Sequence, residues 1–327
     1  MRIVAALGGN ALLHRGERPD AATQVANVTR SVRALAPLAD RNELVITHGN
    51  GPQVGLLALE SAQDPRLSEP YPFDVLGAQT QGMIGYWLLQ ALQNALPGRQ
   101  VASIINQTLV LAHDPALHHP TKFVGEVYTH DEAQRLSQLR GWAVRQDGTG
   151  DTWRRVVGSP QPQRVVETRL IRLLLLSGAV VVCAGGGGVP VIRDEHGKLR
   201  GIEAVVDKDL TAALLAEALE ADVLLVLTDV PCVERGFGTP EASPILRTTP
   251  GALRREPFPA GSMGPKVDAV CRFVELTGDM AAIGRLEDAV EIIEGKAGTV
   301  VTPGGDYGGP DDLATHRPRA PAHGDRP

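Results

Sequence analysis

The amino-acid sequence predicts an α/β fold in which a mainly parallel sheet is covered by helices on both faces. Along most of the chain, apolar runs of strand length alternate with longer segments that have helical periodicity. Segments such as 180–182 and 224–227 are apolar at every position, without the alternation of a half-exposed strand. Strands of this kind are expected where both faces of a sheet are buried, so the two observations indicate the same fold class.

The individual elements follow from the spacing of apolar residues. Val25, Val28, Val32 and Leu35, for example, recur at helical spacing. Strands are predicted at 3–7, 43–47, 101–105, 179–183, 223–227, 281–283 and 299–301. Helices are predicted at 24–36, 54–61, 76–96, 167–176, 209–219, 267–275 and 286–293. We expect residues 1–302 to form one main domain.

Two segments interrupt this alternation. Residues 113–162, called the excursion below, are polar and rich in His, Gly, Pro and Arg, with strand-like pieces at 123–128, 142–145 and 153–157. This pattern predicts either a lid or a small subdomain outside the sheet. Residues 303–327 are rich in Gly and Pro and predict a disordered tail.

The composition argues against several classes of function. The net charge of −6 argues against nucleic acid as a partner, and no window approaches 18 uninterrupted apolar residues, so we expect no membrane span. The apolar run at the N-terminus is too short for a signal peptide. The three cysteines are far apart and form no CxxC pair, which is typical of a reducing cytoplasm. His118 and His119 are adjacent, unlike an i, i+4 ligand pair, and we expect no metal site built by the protein alone.

Four predicted strand ends carry residues suited to anion binding. In an open parallel sheet, ligands bind beyond the carboxyl ends of the strands, and Gly lets backbone N–H groups approach an anion. The alternative is a set of tight turns, which explains one Gly pair more easily than four strand ends. GxxxxGK[ST], GxGxxG and GxSxG are absent, so this anion site is of another kind. The residues at these ends are Gly8, Gly9 and Asn10; Gly49, Asn50 and Gly51; Gly185 to Gly188; and Thr228 and Asp229.

The lysines stand out because the chain has 27 Arg and only five Lys. Lys208 and Lys266 both lie at predicted helix starts, where a cation costs about 0.3–1 kcal/mol. Helix capping by Asp207 or Asp209 is the ordinary explanation of the first motif. The functional explanation is that both lysines face a phosphoryl group, with Mg²⁺ carried by a nucleotide. Lys122 by itself reads as a surface lysine.

These residues resemble the amino-acid kinase superfamily and, within it, the carbamate kinase family. The resemblance runs from Val4 to about Thr302, and its motifs are LGGNA at 7–11, HGNGPQVG at 48–55, TQGMIGY at 80–86, PTK at 120–122, WRRVV at 153–157, the Gly run at 185–188, VVDKD at 205–209, LTD at 227–229 and GSMGPK at 261–266. The HGNGPQVG, TQGMIGY, PTK and WRRVV motifs favour carbamate kinase specifically.

The resemblance implies a three-layer αβα sandwich, a homodimer and a protruding subdomain at the excursion. It also implies the reversible reaction of ATP with carbamate to give ADP and carbamoyl phosphate, with Mg²⁺ as cofactor, used in arginine metabolism to make ATP.

The same resemblance assigns roles to the motif residues. Lys208 and Lys266 would contact the transferred phosphoryl group, Asp209 would organise the pair, and Lys122 would reach over the substrate. The phosphate and nucleotide set is Gly8, Gly9, Asn10, Gly185, Gly186, Thr228, Asp229, Phe237 and Gly238. The carbamate set is Gly49, Asn50 and Gly51.

The sequence departs from the family pattern in the excursion. His119 and Phe123 flank PTK where the family usually has Asn and Pro, and Asp151-Thr152 precede Trp153 in place of Arg-Gly. Two alternatives remain open: another small-carboxylate kinase such as an acetylglutamate kinase, or a catalytically silent nucleotide or anion sensor. The excursion and WRRVV argue against the first, and the presence of Lys208 and Lys266 argues against the second.

Overall fold

An eight-stranded sheet forms the centre of the structure, a computed structural model that describes residues 1–304 apart from residues 15, 149 and 259–262. Most of the predicted tail therefore lies outside the described residues. The strands, in spatial order, are β15 (Arg247–Thr248), β17 (Thr299–Val301), β16 (Met280–Arg285), β12 (Val223–Thr228), β1 (Arg2–Leu7), β2 (Glu43–His48), β9 (Val180–Val182) and β3 (Val101–Ser103).

The sheet is parallel from β16 to β3, and β17 runs antiparallel to β16. The central strand β1 pairs with β2 on one side and with β12 on the other, in a register that places Ile3 opposite Val223. The predicted mainly parallel sheet is confirmed. The carboxyl ends of β1, β2, β9 and β12 consequently lie side by side at the same end of the sheet.

Helices cover both faces of this sheet. Alternate residues of β1 point to opposite faces, so Val4 and Ala6 belong to one buried cluster, whereas Ile3, Ala5 and Leu7 belong to the other. The first cluster includes residues of α6 (Thr168–Leu176), α7 (Lys208–Ala218) and α9 (Met263–Thr277). The second includes residues of α1 (Ala21–Ala39), α3 (Phe73–Ala95) and α10 (Ala289–Ile293). The helix predicted at 286–293 is divided, with a 3₁₀ turn at Leu286–Asp288 before α10.

Smaller sheets surround the central one. A four-stranded sheet and a two-stranded sheet were absent from the sequence prediction, because their strands are short and include polar residues, Gly and Pro. They consist of β4 (Gln107–Val110), β8 (Pro162–Val165), β10 (Val189–Arg193) and β11 (Leu199–Gly201), and of β13 (Val233–Arg235) with β14 (Ser243–Ile245).

The excursion contains a three-stranded sheet and two helices. Its strands are β5 (Lys122–Tyr128), β6 (Val144–Gln146) and β7 (Trp153–Val157), with β7 in the middle, and its helices are α4 (Pro115–His118) and α5 (His130–Arg140). A capping box of Thr129 and Glu132 starts α5. The remaining helices are α2 (Gly51–Gln63) and α8 (Pro250–Leu253). Among the described residues, no helix has the length and apolarity needed to cross a bilayer.

Candidate active site

A cavity of about 280 Å³ lies where the carboxyl ends of the central strands face the excursion. Its lining comes from parts of the chain that are far apart in sequence. The polar and Gly lining residues are Gly9, Gly49, Asn50, Gly51, Lys122, Arg154, Gly186, Asp207, Lys208, Asp209 and Lys266. The structure therefore brings all four predicted catalytic side chains and the three residues of the carbamate set to one cavity.

Asp209 joins the two lysines of the predicted pair. Its Oδ1 accepts a hydrogen bond from Lys208 Nζ, and its Oδ2 accepts one from Lys266 Nζ at 2.9 Å. Helices α7 and α9 pack against each other through apolar residues of one buried cluster, and both lysines lie in the first turn of their helix. The side chain of Asp209 is only 4% exposed, so this three-residue group is nearly removed from water.

Burial and charge act in opposite directions on these groups. Burial disfavours ionisation of Asp209, but the two neighbouring ammonium groups outweigh it and hold the pKa of this carboxyl below its usual range. Burial lowers the pKa of Lys208, and the nearby Lys266 adds to this effect, whereas the Asp209 carboxylate opposes it. At neutral pH, Asp209 is ionised and acts as a fixed negative charge that orients two cations.

Lys122 reaches the same cavity from the excursion. It is the first residue of β5, and its Nζ lies 2.9 Å from Asp207 Oδ2. The other oxygen of Asp207 accepts hydrogen bonds from the backbone N–H groups of Asp209 and Leu210, so Asp207 also caps α7. The cap was expected from the sequence, but the pairing with Lys122 was not, because the two residues are 85 positions apart.

The first two Gly-rich strand ends lie against each other. The backbone N–H of Gly49 donates to the Leu7 carbonyl oxygen at 3.0 Å, and that of Gly8 donates to the Leu227 carbonyl oxygen at 2.9 Å. A Cβ on Gly49 would lie only 3.0 Å from the backbone nitrogen of Gly9. Glycine is thus required at position 49 for the two turns to approach this closely.

The Gly run after β9 packs against the turn after β2. Gly186 has a φ of +62°, and a Cβ there would overlap the side-chain amide of Asn50. Asn50 in turn donates to Thr80 Oγ1 at 2.8 Å from its Nδ2. The TQG motif therefore supports a cavity residue instead of lining the cavity itself. Thr80 on α3 holds the Asn50 side chain, and the side-chain oxygen of the neighbouring Gln81 accepts a hydrogen bond from the backbone N–H of Asn106 at 2.9 Å.

His48 is a buried residue next to the Gly49 turn, and the sequence analysis gave it no role of its own. It is 1% exposed, and its Nδ1–H donates to the carbonyl oxygen of Gly49 at 2.9 Å. Burial lowers the pKa of this imidazole to about 4, so it is neutral at pH 7. The signal that could have found it is its place at the end of an apolar strand, directly before the Gly49 turn.

Part of the predicted nucleotide set lies outside this cavity. Asn10, Thr228 and Asp229 line a neighbouring cavity of about 390 Å³, and Asn10 Nδ2 donates to Asp229 Oδ2 at 2.8 Å. Phe237 and Gly238 lie between β13 and β14 and line neither of the two cavities. Phe237 is 71% exposed. Gly261 and Ser262 of the GSMGPK motif fall outside the described residues.

Carboxylates near the cavity are already paired with cations or amides. Asp207 and Asp209 hold lysines, and Asp229 holds Asn10. Within the part of the chain that the structure describes, no three His, Cys, Asp or Glu side chains are grouped as metal ligands. This donor set suits a cation that brings most of its ligands with a phosphorylated substrate.

Comparison with known proteins agrees with the geometry. A model of the amino acid kinase family matches residues 1–283. The carbamate kinase of Rhizobium meliloti (strain 1021) is 52% identical over 307 residues, which covers 92% of this chain and 93% of that protein. The carbamate kinase of Haemophilus influenzae is 50% identical over 303 residues, covering 92% and 97% respectively.

A solved structure gives the same result in three dimensions. The carbamate kinase from Giardia lamblia bound to AMP-PNP superposes with a TM-score of 0.86 at 36% identity, over 92% of this chain and 98% of that one. Sequence identity of this extent, over nearly the full length of these relatives and with the same fold, shows the family. The chain belongs to the amino acid kinase family and, within it, to the carbamate kinases.

Proposed function

We propose that the chain transfers a phosphoryl group reversibly between ATP and carbamate, giving ADP and carbamoyl phosphate. The observation that carries this proposal is the pair of lysines held by one buried carboxylate, opposite the Gly49–Gly51 turn in a single cavity. Phosphoryl transfer needs positioning and charge stabilisation more than covalent participation by the protein, and this arrangement supplies both.

In the proposed reaction, a carbamate oxygen attacks the terminal phosphorus of ATP and ADP leaves. Lys208 and Lys266 stabilise the charge that develops on the transferred group and on the leaving oxygen, and Asp209 keeps the two ammonium groups in place. Lys122 covers the group from the excursion. Backbone N–H groups of Gly49, Asn50 and Gly51 would hold carbamate.

The nucleotide would occupy the remaining predicted set. Gly8, Gly9, Asn10, Gly185 and Gly186 would contact its phosphates, and Thr228, Asp229, Phe237 and Gly238 would lie near the nucleoside. Mg²⁺, when bound, neutralises part of the phosphate charge; because Asp207 and Asp209 already pair with lysines, we propose that it arrives on the nucleotide.

We also propose that the excursion is a protruding subdomain and that the protein is a cytoplasmic homodimer. The three cysteines are buried and unpaired, which suits a reducing compartment. Exposed apolar side chains on α3, on α6 and just after the edge strand β3 support an interface between two copies; they are Tyr86, Ile105, Leu170, Leu173 and Leu176.

The direct test mixes the protein with MgADP and carbamoyl phosphate and follows ATP by a coupled luminescence assay. We expect ATP to form with this protein and not with a Lys266→Met variant. No ATP above the uncatalysed background would refute the proposed activity. Replacement of carbamoyl phosphate by acetylglutamyl phosphate tests the related small-carboxylate kinase, and nucleotide binding without any turnover would identify a silent sensor.

A further inference from the structure

We propose that Asp207 is the positioning residue of Lys122: its carboxylate holds the excursion lysine at the cavity while it caps the helix that carries Lys208 and Asp209. This inference rests on the proposed function, because Lys122 is assigned there to the transferred phosphoryl group. It gives a role to a residue that the family motif otherwise supplies only as the neighbour of a catalytic lysine.

The two oxygens of Asp207 serve different parts of the molecule. Oδ1 accepts from the backbone N–H groups of Asp209 at 2.9 Å and of Leu210 at 3.4 Å. Oδ2 accepts from Lys122 Nζ at 2.9 Å. Since the cap fixes the carboxylate relative to the first turn of α7, it also fixes the place of the Lys122 ammonium relative to Lys208.

The charges of the cavity make this second carboxylate necessary. Lys122, Lys208 and Lys266 bring three positive charges to one cavity. Asp209 uses one oxygen for Lys208 and the other for Lys266, and is 4% exposed, so Lys122 depends on Asp207 for a carboxylate. The Lys122 side chain is 40% exposed and could otherwise extend into water, away from the two other cations.

The pairing with Asp207 leaves Lys122 able to bind a ligand. An ammonium group has three donors, and the Asp207 oxygen uses one of them. Toward the residues that the structure describes, the other two make no hydrogen bond and can contact phosphoryl oxygens in the cavity. Asp207 thus does for the excursion lysine what Asp209 does for the other two.

The segment before α7 contacts the excursion at every second residue. Glu203 pairs with Arg155 of β7, and the backbone N–H of Val205 donates to the Gly158 carbonyl oxygen at 3.0 Å. Asp207, two residues further, pairs with Lys122. These three contacts join the segment before α7 to the excursion, and the last of them, at Asp207, lies at the cavity.

The test is a double-mutant cycle on ATP formation with Asp207→Asn and Lys122→Ala. Asn is as good a helix cap as Asp, so Asp207→Asn keeps the α7 cap and removes the negative charge that faces the Lys122 ammonium. We expect kcat to fall about tenfold or more in Asp207→Asn, because a misplaced catalytic group is costly, with less than a twofold change in KM for ADP. In the Lys122→Ala background, the same substitution should change kcat by less than about twofold.

The control variant is Asp114→Asn, at another helix cap. Asp114 accepts from the backbone N–H groups of Ala116 at 2.8 Å and Gln161 at 2.9 Å and pairs with no lysine in the described structure. We expect its kcat to match that of the unmodified protein. Additive losses in the double mutant, or an equal loss in the control, would overturn the role of Asp207.

A second measurement does not depend on catalysis. The chain has only five lysines, so reductive ¹³C-methylation gives few lysine signals, and Lys122→Ala identifies that of Lys122. We expect Asp207→Asn to move this signal towards those of the exposed Lys198 and Lys296, and to leave those of Lys208 and Lys266 in place. An unmoved Lys122 signal would contradict the inference even if the protein made no ATP, whereas a moved signal without ATP formation would refute only the proposed reaction.

Discussion

Asp209 shows how strongly the site depends on the shape of single side chains. Its two oxygens each hold one ammonium group, and the side chains of Lys208 and Lys266 are 13% and 17% exposed. A planar guanidinium is wider than an ammonium and cannot occupy the same space as a point charge. The choice of Lys over Arg at these positions, in a chain that otherwise prefers Arg, follows from that lack of room.

Lys208→Arg should therefore lower kcat by at least about 100-fold, the usual cost of removing a group that stabilises transition-state charge. The measurement is ATP formation from MgADP and carbamoyl phosphate. Lys198→Arg, at an exposed turn, is the control and should keep full activity. Turnover close to that of the unmodified protein in Lys208→Arg would show that a point charge is not required.

His48 predicts a pH dependence of stability. Its pKa in the folded protein is about 4, below the ordinary value of 6.5, so the unfolded chain takes up the proton first as the pH falls. The stability that neutral His48 contributes is therefore complete above pH 6.5 and is lost as the pH falls towards 4, by about 3 kcal/mol. Urea unfolding between these pH values measures it.

His48→Gln should remove most of that pH dependence, since an amide does not titrate in this range. His196→Gln replaces a histidine whose side chain is 71% exposed and should leave the dependence unchanged. Identical slopes of unfolding free energy against pH in the His48 variant and the unmodified protein would contradict a buried neutral imidazole.

The sequence and its family resemblance identified the three lysines and Asp209, the partner of two of them, but not the partner of Lys122. Lys208 and Lys266 were conspicuous as rare lysines at helix starts, and Lys122 was assigned only through the family resemblance. The pairing of Lys122 with Asp207 depends on how the excursion meets α7, which no local pattern encodes. His48 was missed for a related reason: its burial and neutral state come from the tertiary packing around β2.

At the scale of elements, close packing of neighbouring groups explains why the run after β9 consists of glycines. Gly186, Gly187 and Gly188 all have positive φ values, and a side chain at each would overlap a neighbouring group. This run supports the Asn50 turn through close packing and leaves its backbone near the cavity. A Gly-rich segment can thus shape a site by admitting another side chain.

Gly186→Ala should therefore do more than strain the backbone. Alanine at positive φ costs about 1–2 kcal/mol, and its Cβ would also displace Asn50. We expect kcat/KM for carbamoyl phosphate to fall at least about tenfold. Gly197→Ala is the control, because Gly197 also has a positive φ, of +74°, but an added Cβ there would meet nothing within 4 Å. This variant should lose stability and keep its activity. Equal activity in the two variants would show that the position of Asn50 does not affect substrate binding.

The elements that the sequence predicted are those with long apolar patterns. The strands 3–7 and 223–227 lie within β1 and β12, where burial on both faces leaves an unbroken apolar run. By contrast, α5 was missed because Ala133 is its one buried residue, so it has almost no apolar face to recognise. Strand β10 was missed because it contains Pro190 and follows four glycines.

At the scale of the whole molecule, the exposed apolar residues of α6 predict association. Leu170, Leu173 and Leu176 share one side of α6 and are 47%, 57% and 69% exposed. We expect light scattering to give twice the chain mass of 34.7 kDa, and Leu173→Glu to shift the protein towards single chains. Leu139→Glu, at a 75% exposed position in the excursion, should not. An unmodified protein that is monomeric at micromolar concentration would refute the dimer.

The position of β1 in the central sheet has a consequence for synthesis on the ribosome. Its partner β2 follows within 50 residues, but its other partner, β12, begins at Val223. At about 5–20 residues per second, one edge of β1 waits about 10–40 s for its partner to be translated. An unpaired strand edge is a template for wrong pairing, so this nascent chain needs protection during that interval. The speed of translation between β2 and β12 sets how long that exposure lasts.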